Sequence, residues 1–269
     1  YFCFMFKEIT SLQNPIIKRI LLLKDKAKQR NIEGVFIIEG QRELALAIKG
    51  GYVIKSLFFE PNLFNESQID AYKTNGTEVT QITSKVYNKI AHRGSTEGIV
   101  AIAESKSHTL EDLKLGSNPL ILVAEAPEKP GNIGALLRTA DAAHVDAVII
   151  ANPRTDLYNS NVIRSSVGGL FTLSIAVATS EETIGFLNER SIPIYSALLQ
   201  DSMPYIDIDF GGASALVVGP ESTGLSEIWR SAADKKIQIP MLGDLDSMNV
   251  SVAAGILLFE AKRQRKFLL

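Results

Sequence analysis

The sequence predicts an α/β protein with two domains, the larger of which is built on a parallel β-sheet. From residue 119 onward, short apolar segments alternate with segments of helical periodicity, which is typical of a parallel sheet covered by helices on both faces. At 269 residues the chain is long for one domain, and a polar stretch containing Gly and Pro at 104–118 is where a boundary is expected. We therefore predict a first domain at 5–106, a linker at 107–118 and a second domain at 119–269.

The first domain is predicted to be a small α/β unit. An Asn-Pro pair at 14–15 precedes apolar residues spaced along one helical face, so a helix is expected to begin there with proline in its first turn. Further apolar patterns predict a helix at 41–49 and strands at 35–40, 56–59 and 98–103.

The second domain shows the stronger alternation. Strands are predicted at 120–124, 147–150, 173–177, 193–197, 215–219 and 237–240, and helices at 133–142, 181–190 and 250–263. Ligands of open parallel sheets bind at the carboxyl ends of the strands. The candidate loops are therefore 125–132, 219–226 and 240–249.

Composition excludes several classes of function. A net charge of −2 argues against a protein whose whole surface binds nucleic acid nonspecifically. A local basic segment at 7–30, which includes Lys18 and Arg19, is nevertheless present. The single cysteine, Cys3, and three widely separated histidines give no disulfide and no expected metal site. No segment has the apolar length of a membrane span, so we expect a cytoplasmic protein that does not bind membranes.

The first candidate loop resembles a phosphate-binding glycine loop but fails the pattern. Gly131 and Gly134 are present, whereas the third glycine of that fingerprint would fall at Leu137. This failure weakens the hypothesis of a nicotinamide-dependent oxidoreductase. The polar residues that remain are Asn132, which could act in a site or cap the helix, and Arg138, which could act in a site or form a surface salt bridge.

The other two loops carry polar residues that are ambiguous when each is taken alone. Glu221 follows an apolar strand in a turn rich in Gly and Pro, where a glutamate is usually just solvated. Ser247 and Asn249 precede the last helix, and either one could simply cap it.

Taken together and in order, the loops resemble the SpoU (TrmH) family of SPOUT-class RNA ribose 2′-O-methyltransferases. The resemblance covers about 119–265, and its motifs are 132–134 with 138–140, 219–221 with 224–226, and 239–241 with 247–253, supported by 158–159 and 162–171. The first domain resembles the ribosomal-protein-like substrate-binding domain of this family at 38–40 and 97–101.

The resemblance implies a trefoil-knotted second domain that binds S-adenosylmethionine and works as a homodimer. By position, the cofactor-binding residues are Leu198, Gly219, Ile239, Met248 and Asn249. Two departures from the family pattern stand out: Met248 replaces the usual leucine, and the segment 126–129, Ala-Pro-Glu-Lys, is atypical. The second departure is expected to alter how this loop meets RNA.

The implied reaction is 2′-O-methylation of a ribose in structured RNA. We expect this RNA to be ribosomal RNA rather than transfer RNA. In the family, Arg138 of one subunit approaches the site of the other. We expect this arginine to contact the target phosphate and 2′-oxygen, because its pKa is too high for a proton acceptor. The remaining expected catalytic residues are Glu221, which orients Arg138 or the ribose, Asn132, Ser247 and Asn249.

Two questions stay open at the level of sequence. Arg164, Lys18 and Arg19 are further candidate RNA contacts, although a structural ion pair would also explain Arg164. The alternative function is a catalytically inactive RNA- or ribosome-binding protein on the same fold.

Overall fold

The computed structural model describes residues 6–92, 97–244 and 247–267, so Cys3 lies outside the described residues. These residues form two compact units. Unit 1 comprises the chain up to Lys106 together with Leu157–Arg164, and unit 2 comprises Ser107–Asp156 and the chain from Ser165 onward.

Unit 1 is built on a mixed five-stranded sheet. Its strands are β1 (Lys7–Ile9), β2 (Val35–Glu39), β3 (Ile54–Phe59), β4 (Glu78–Ile82) and β5 (Ile99–Glu104). The sheet order is β1-β4-β3-β5-β2, in which β4 runs parallel to β1 and β3 while β5 runs antiparallel to β3 and β2. The helices are α1 (Pro15–Asp25), α2 (Ala27–Glu33), α3 (Gln41–Lys49) and α4 (Ser84–Ile90).

The basic segment at the start of unit 1 is partly used for folding. Arg30 is buried and its guanidinium donates to the carbonyls of Leu23 and Lys24. Lys24 forms an ion pair with Glu39 at 2.6 Å. The basic segment at 7–30 therefore contributes some of its cations, Arg30 and Lys24 among them, to local structure, and a helix, α2, forms within it.

Leu157–Arg164 groups with unit 1 because of an aromatic cluster. Tyr158 stacks on Phe36 with ring centroids 4.2 Å apart, and its hydroxyl accepts a hydrogen bond from the Lys106 backbone N–H at 2.8 Å. The predicted first domain, 5–106, does not include this segment.

Unit 2 has a seven-stranded sheet in the order β10-β12-β9-β11-β6-β7-β8. Every neighbouring pair is parallel, which confirms the predicted fold class. The strands are β6 (Leu120–Glu125), β7 (Ala147–Ala151), β8 (Ile175–Ala178), β9 (Ile194–Ala197), β10 (Met203–Pro204), β11 (Ser214–Val218) and β12 (Lys235–Gln238). The helices of unit 2 are α5 (Pro130–Ala142), α7 (Gly169–Thr172), α8 (Ser180–Glu189), α9 (Glu227–Ala232) and α10 (Val250–Gln264). The remaining helix, α6 (Ser160–Ser166), begins in the part of the chain that belongs to unit 1 and ends in unit 2.

The segment 107–118, which we predict as a linker, is folded against unit 2. Leu110 and Leu113 are buried in the core of that unit, and the carbonyl of His108 accepts from the Val177 backbone N–H at 2.7 Å. Although the segment is polar overall, burial of these two leucines stabilises its contact with unit 2. This explains why the segment is folded rather than an extended linker.

The sheet order brings the candidate loops together. β6 and β11 are neighbours in the middle of the sheet, so the loops that follow them leave from the same edge. α5 enters from the first loop and packs closely on Ser165. A Cβ on Gly134 would lie 1.9 Å from Ser165 Oγ and 2.7 Å from the Ser166 backbone nitrogen.

We predict that Gly134→Ala destabilises the protein while Gly131→Ala, in the same helix, does not. The added methyl of the first variant must displace backbone, which costs about 1–3 kcal/mol, whereas a Cβ on Gly131 meets nothing within 4 Å. Urea unfolding of both variants measures the difference. Equal stabilities of the two variants would contradict the close contact.

Candidate active site

Three polar side chains from the three predicted loops meet at Glu221. Glu221 Oε1 accepts from Asn249 Nδ2 at 2.7 Å, from Asn132 Nδ2 at 3.3 Å and from the Val250 backbone N–H at 3.2 Å. The two amides also contact each other, because Asn249 Nδ2 lies 3.1 Å from Asn132 Oδ1. One carboxylate oxygen thus joins the start of α5 to the start of α10.

Helix-end chemistry explains how the two asparagines are held. Asn249 is the N-cap of α10 and its Oδ1 accepts from the Ser251 backbone N–H at 3.0 Å, which is a favoured use of asparagine. Capping leaves its amide nitrogen free to donate to Glu221, so its role as a cap does not prevent it from joining the polar cluster. α5 begins at Pro130 with Lys129 as its N-cap residue, so Asn132 lies in the first turn rather than at the cap.

Glu221 is held as a carboxylate. The backbone N–H of Val250 has the largest effect in lowering the pKa of Glu221 below its ordinary value of 4.5, with further contributions from Lys129 and Asn132, while partial burial opposes the shift. Hydrogen bonds to the charged form favour ionisation. The site therefore contains a fixed negative charge at neutral pH.

The loop that carries Glu221 is closed by short contacts. A Cβ on Gly219 would lie 2.6 Å from the Leu225 nitrogen, and Gly224 has φ +65°, a conformation that glycine adopts without strain. At the far end of the loop, the buried carboxylate of Glu125 accepts from the Ser226 backbone N–H at 2.8 Å and from Ser226 Oγ at 2.5 Å. The loop is fixed at both ends.

A cavity of about 400 Å³ lies beside this loop. Four of the predicted cofactor-binding residues line it, namely Leu198, Gly219, Ile239 and Met248, and so does Ser247. The fifth, Asn249, belongs to the polar cluster around Glu221 instead. Small-molecule sites have volumes of about 300–1,000 Å³ with mostly apolar walls and a few polar groups. Apolar walls from Leu198, Ile239 and Met248, with Gln200 and Thr223 as polar groups, fit a molecule such as S-adenosylmethionine.

Arg138 does not join the cluster in its own protomer. Its side chain is exposed, and we find no hydrogen bond or ion pair for it within the described part of the chain. Arg138 lies six positions after Asn132 along α5, so the two lie about 9 Å apart along the axis and about 120° apart around it. The arginine therefore faces away from the Glu221 network.

The candidate RNA contacts differ in their exposure and in their hydrogen-bond and ion-pair partners within the chain. Lys18 is exposed, whereas Arg19 forms an ion pair with Glu33 at 2.6 Å. Arg164 is exposed and its guanidinium donates to Asn161 Oδ1 at 2.6 Å. This local hydrogen bond takes the place of the ion pair considered from sequence.

Lys129 is the site residue that sequence reasoning does not assign. Its Nζ lies 3.4 Å from Glu221 Oε2, although the two residues are 92 positions apart. The one available signal is that 126–129 departs from the family pattern. Over the described residues, no helix is long and apolar enough to cross a membrane, and no group of three His, Cys, Asp or Glu side chains is placed to hold a metal ion.

Comparison with known families matches both units. Residues 119–259 match the SpoU rRNA Methylase family, and residues 14–101 match the MRM3-like substrate binding domain.

Curated relatives cover most of the chain. The 23S rRNA (guanosine(2553)-2′-O)-methyltransferase RlmP of Bacillus subtilis is 27% identical, over 95% of this chain and 99% of its own length. The 23S rRNA (guanosine-2′-O-)-methyltransferase RlmB of Xylella fastidiosa is 36% identical, over 71% of this chain and 79% of its own.

Solved structures with the cofactor share this fold. An AdoMet-bound rRNA methyltransferase from Sinorhizobium meliloti superposes with a TM-score of 0.89 at 31% identity, covering 98% of each chain. The SpoU methyltransferase AviRb from Streptomyces viridochromogenes, in complex with AdoMet, gives a TM-score of 0.87 at 27% identity, over 94% of this chain and 99% of that one.

These matches confirm the predicted enzyme class, RNA ribose 2′-O-methyltransferase, and the predicted cofactor, S-adenosylmethionine. They favour an active enzyme over the inactive alternative, since relatives with the named activity match at 27–36% identity over most of the chain. The chain belongs to the SpoU rRNA methylase family.

Proposed function

We propose that this methyltransferase modifies a ribose of 23S rRNA and works as a cytoplasmic homodimer. The observation that carries the proposal is the meeting of Asn132, Glu221 and Asn249 beside a cavity of about 400 Å³. The choice of RNA is supported by relatives that are named 23S rRNA methyltransferases.

The cluster suits activation of a ribose hydroxyl. Bound S-adenosylmethionine supplies an electrophilic methyl group. The 2′-hydroxyl is a weak acid, so the protein must position it and help to remove its proton. The ionised Glu221 orients the ribose, Asn132 and Asn249 hold that carboxylate in place, and Ser247 hydrogen-bonds the ribose or the cofactor from the cavity wall.

Arg138 acts from the partner subunit in this proposal. Its exposure and its position away from Glu221 on α5 support a role outside its own site. From the partner it contacts the target phosphate and stabilises charge that develops on the 2′-oxygen.

An apolar stripe on α10 supports the homodimer. Val252 and Phe259 are 53% and 43% exposed and lie on one helical face with Ile256. The stripe borders Gly255, where an added Cβ would lie 3.4 Å from Thr139 Cγ2 on α5. Arg138 precedes Thr139 in sequence, so a partner that covers the stripe would also meet the arginine.

The smaller unit is proposed to bind the RNA substrate. Its match to the MRM3-like substrate binding domain and the exposed Lys18 support this role, with Arg19 and Arg164 as further contacts. We place the substrate-binding domain at 5–106 and the methyltransferase domain at 119–269.

We also propose that unit 2 contains the trefoil knot of its family. β12 lies towards one edge of the sheet, beyond β9, whereas α10 returns to pack near the central strands β11 and β6. This return of α10 to the centre of the sheet supports a knotted path.

Deletion of the gene is expected to remove one 2′-O-methyl group from 23S rRNA. Protection of RNA from alkaline cleavage at a methylated ribose, read by sequencing in wild-type and deletion strains, locates the lost group. Re-expression should restore it, and Arg138→Ala should not. If the lost group lies in transfer RNA, or if none is lost, the proposed substrate is wrong.

Phe259→Glu is expected to separate the dimer. A charge placed on the apolar stripe removes the hydrophobic contribution to association, and the shift to monomer can be followed by size-exclusion chromatography with light scattering. Ile32→Glu, an equally apolar and 69% exposed site in unit 1, is the matched control. A Phe259→Glu protein that stays dimeric argues against this interface.

Mixed dimers test the action of Arg138 across subunits. Arg138→Ala and Glu221→Gln should each lower methylation by about 10²-fold or more, and Arg138→Ala should still bind S-adenosylmethionine in calorimetry. Mixing the two variants should restore about a quarter of wild-type activity. Half of the dimers then contain one subunit of each variant. Each such mixed dimer has one intact site, formed by Glu221 of the Arg138→Ala subunit and Arg138 of the Glu221→Gln subunit, and one site that lacks both residues. Absence of recovery would assign Arg138 to its own protomer.

A further inference from the structure

The two oxygens of the Glu221 carboxylate have different numbers of hydrogen-bond partners. Its Oε1 accepts all three hydrogen bonds from Asn132, Asn249 and the Val250 backbone. Its Oε2 faces Lys129 Nζ, at 3.4 Å, and has no closer partner within the described residues. One oxygen is fully committed to structure, and the other has room for a further donor.

Lys129 is not explained by stability of the fold. Its side chain is 73% exposed, and an exposed ion pair contributes only about 0–1 kcal/mol. It is also the N-cap residue of α5, where the helix dipole disfavours a positive charge. The stability of the fold therefore does not account for a lysine at this position.

Both groups face a second cavity, of about 120 Å³. Lys129, Asn132 and Glu221 line it, and it shares the loop 218–222 and Val250 with the cavity of about 400 Å³. A small cavity lined by the Glu221 carboxylate and the Lys129 side chain therefore adjoins the cavity that fits the cofactor.

We propose that this second cavity receives the target ribose and that Lys129 is a further catalytic residue. The 2′-hydroxyl donates its hydrogen to Glu221 Oε2, and Lys129 Nζ donates to the 2′-oxygen. This assignment rests on the proposed action on an RNA ribose. It uses a residue of the atypical segment 126–129, so the chain supplies this cation from its own protomer in addition to Arg138 of the partner.

The proton and charge balance is complete. The O–H bond of the ribose breaks and its proton passes to Glu221 Oε2, while the freed electron pair of the 2′-oxygen forms the bond to the methyl carbon and the bond from that carbon to the sulfonium sulfur breaks. The positive charge of the methyl donor is lost as its sulfur becomes a neutral thioether. Lys129 stabilises the negative charge that develops on the 2′-oxygen, and loss of such a donor costs about 10²–10³-fold in rate.

The test pairs a protein change with a change in the RNA. The RNA is a synthetic hairpin that covers the site mapped in the deletion strain, made with either ribose or 2′-deoxyribose at the target nucleotide. Its dissociation constant is measured with the full-length dimer saturated with S-adenosylhomocysteine, so no turnover occurs. Wild type should bind the deoxy hairpin on the order of 10-fold more weakly, as expected for a lost hydrogen bond to charged groups.

Lys129→Met should reduce this ratio to a few-fold, and Lys129→Arg should retain most of it. Arg154→Met is the matched control, because Arg154 is an exposed cation beside the same loop that pairs with Glu128, and its ratio should equal that of wild type. An unchanged ratio in Lys129→Met overturns the proposal. This includes the case in which both hairpins bind equally more weakly, which would indicate a phosphate contact.

The pH profile gives a second readout that a structural role would not change. Lys129 helps to lower the pKa of Glu221, so Lys129→Met should raise that pKa and move the acid limb of the single-turnover rate to higher pH. An acid limb that stays in place overturns the role of Oε2 as proton acceptor. Failure of wild type to methylate any RNA would instead contradict the proposed function itself.

Discussion

The hydrogen bonds that converge on Glu221 Oε1 determine the geometry of the whole site. They join the first turn of α5, through Asn132, to the first turn of α10, through Asn249 and Val250. Two helix starts placed side by side bring unpaired backbone N–H groups and the positive ends of two dipoles together. A carboxylate between them offsets both, which explains why an ionised side chain is stable there and why its pKa is lowered.

The position of that carboxylate depends in turn on the loop that carries it. Gly219 leaves β11 with no room for a side chain, and Glu125 at the end of β6 holds Ser226 at the other end of the loop. Because β6 and β11 are hydrogen-bonded neighbours in the middle of the sheet, both ends of the loop are attached to its centre. The same loop lines both cavities, so the position of the sheet determines the position of the loop and of the two cavities.

Sequence was sufficient where the chemistry of a residue is local. The alternation of apolar segments predicted the parallel sheet, and the motifs placed Leu198, Gly219, Ile239 and Met248, all of which line the larger cavity. The sequence allowed Asn249 to be a cap or a site residue, and in the structure its Oδ1 caps α10 while its Nδ2 donates to Glu221.

Contacts between distant positions were not predictable in the same way. The Lys129–Glu221 pair spans 92 residues, and nothing in either segment specifies the other. The polar segment 107–118 hid Leu110 and Leu113, whose burial depends on a surface that only the folded unit provides. The contacts of Arg138 are also not predictable from the sequence. Its sequence motif identifies the residue, but its exposed position on α5 gives it no partner within the described part of its own chain, so its role depends on what covers α5 and α10. A site that takes one cation from the residue that caps its own α5 and another from its partner would assemble completely only in the dimer, with the ribose held between the two.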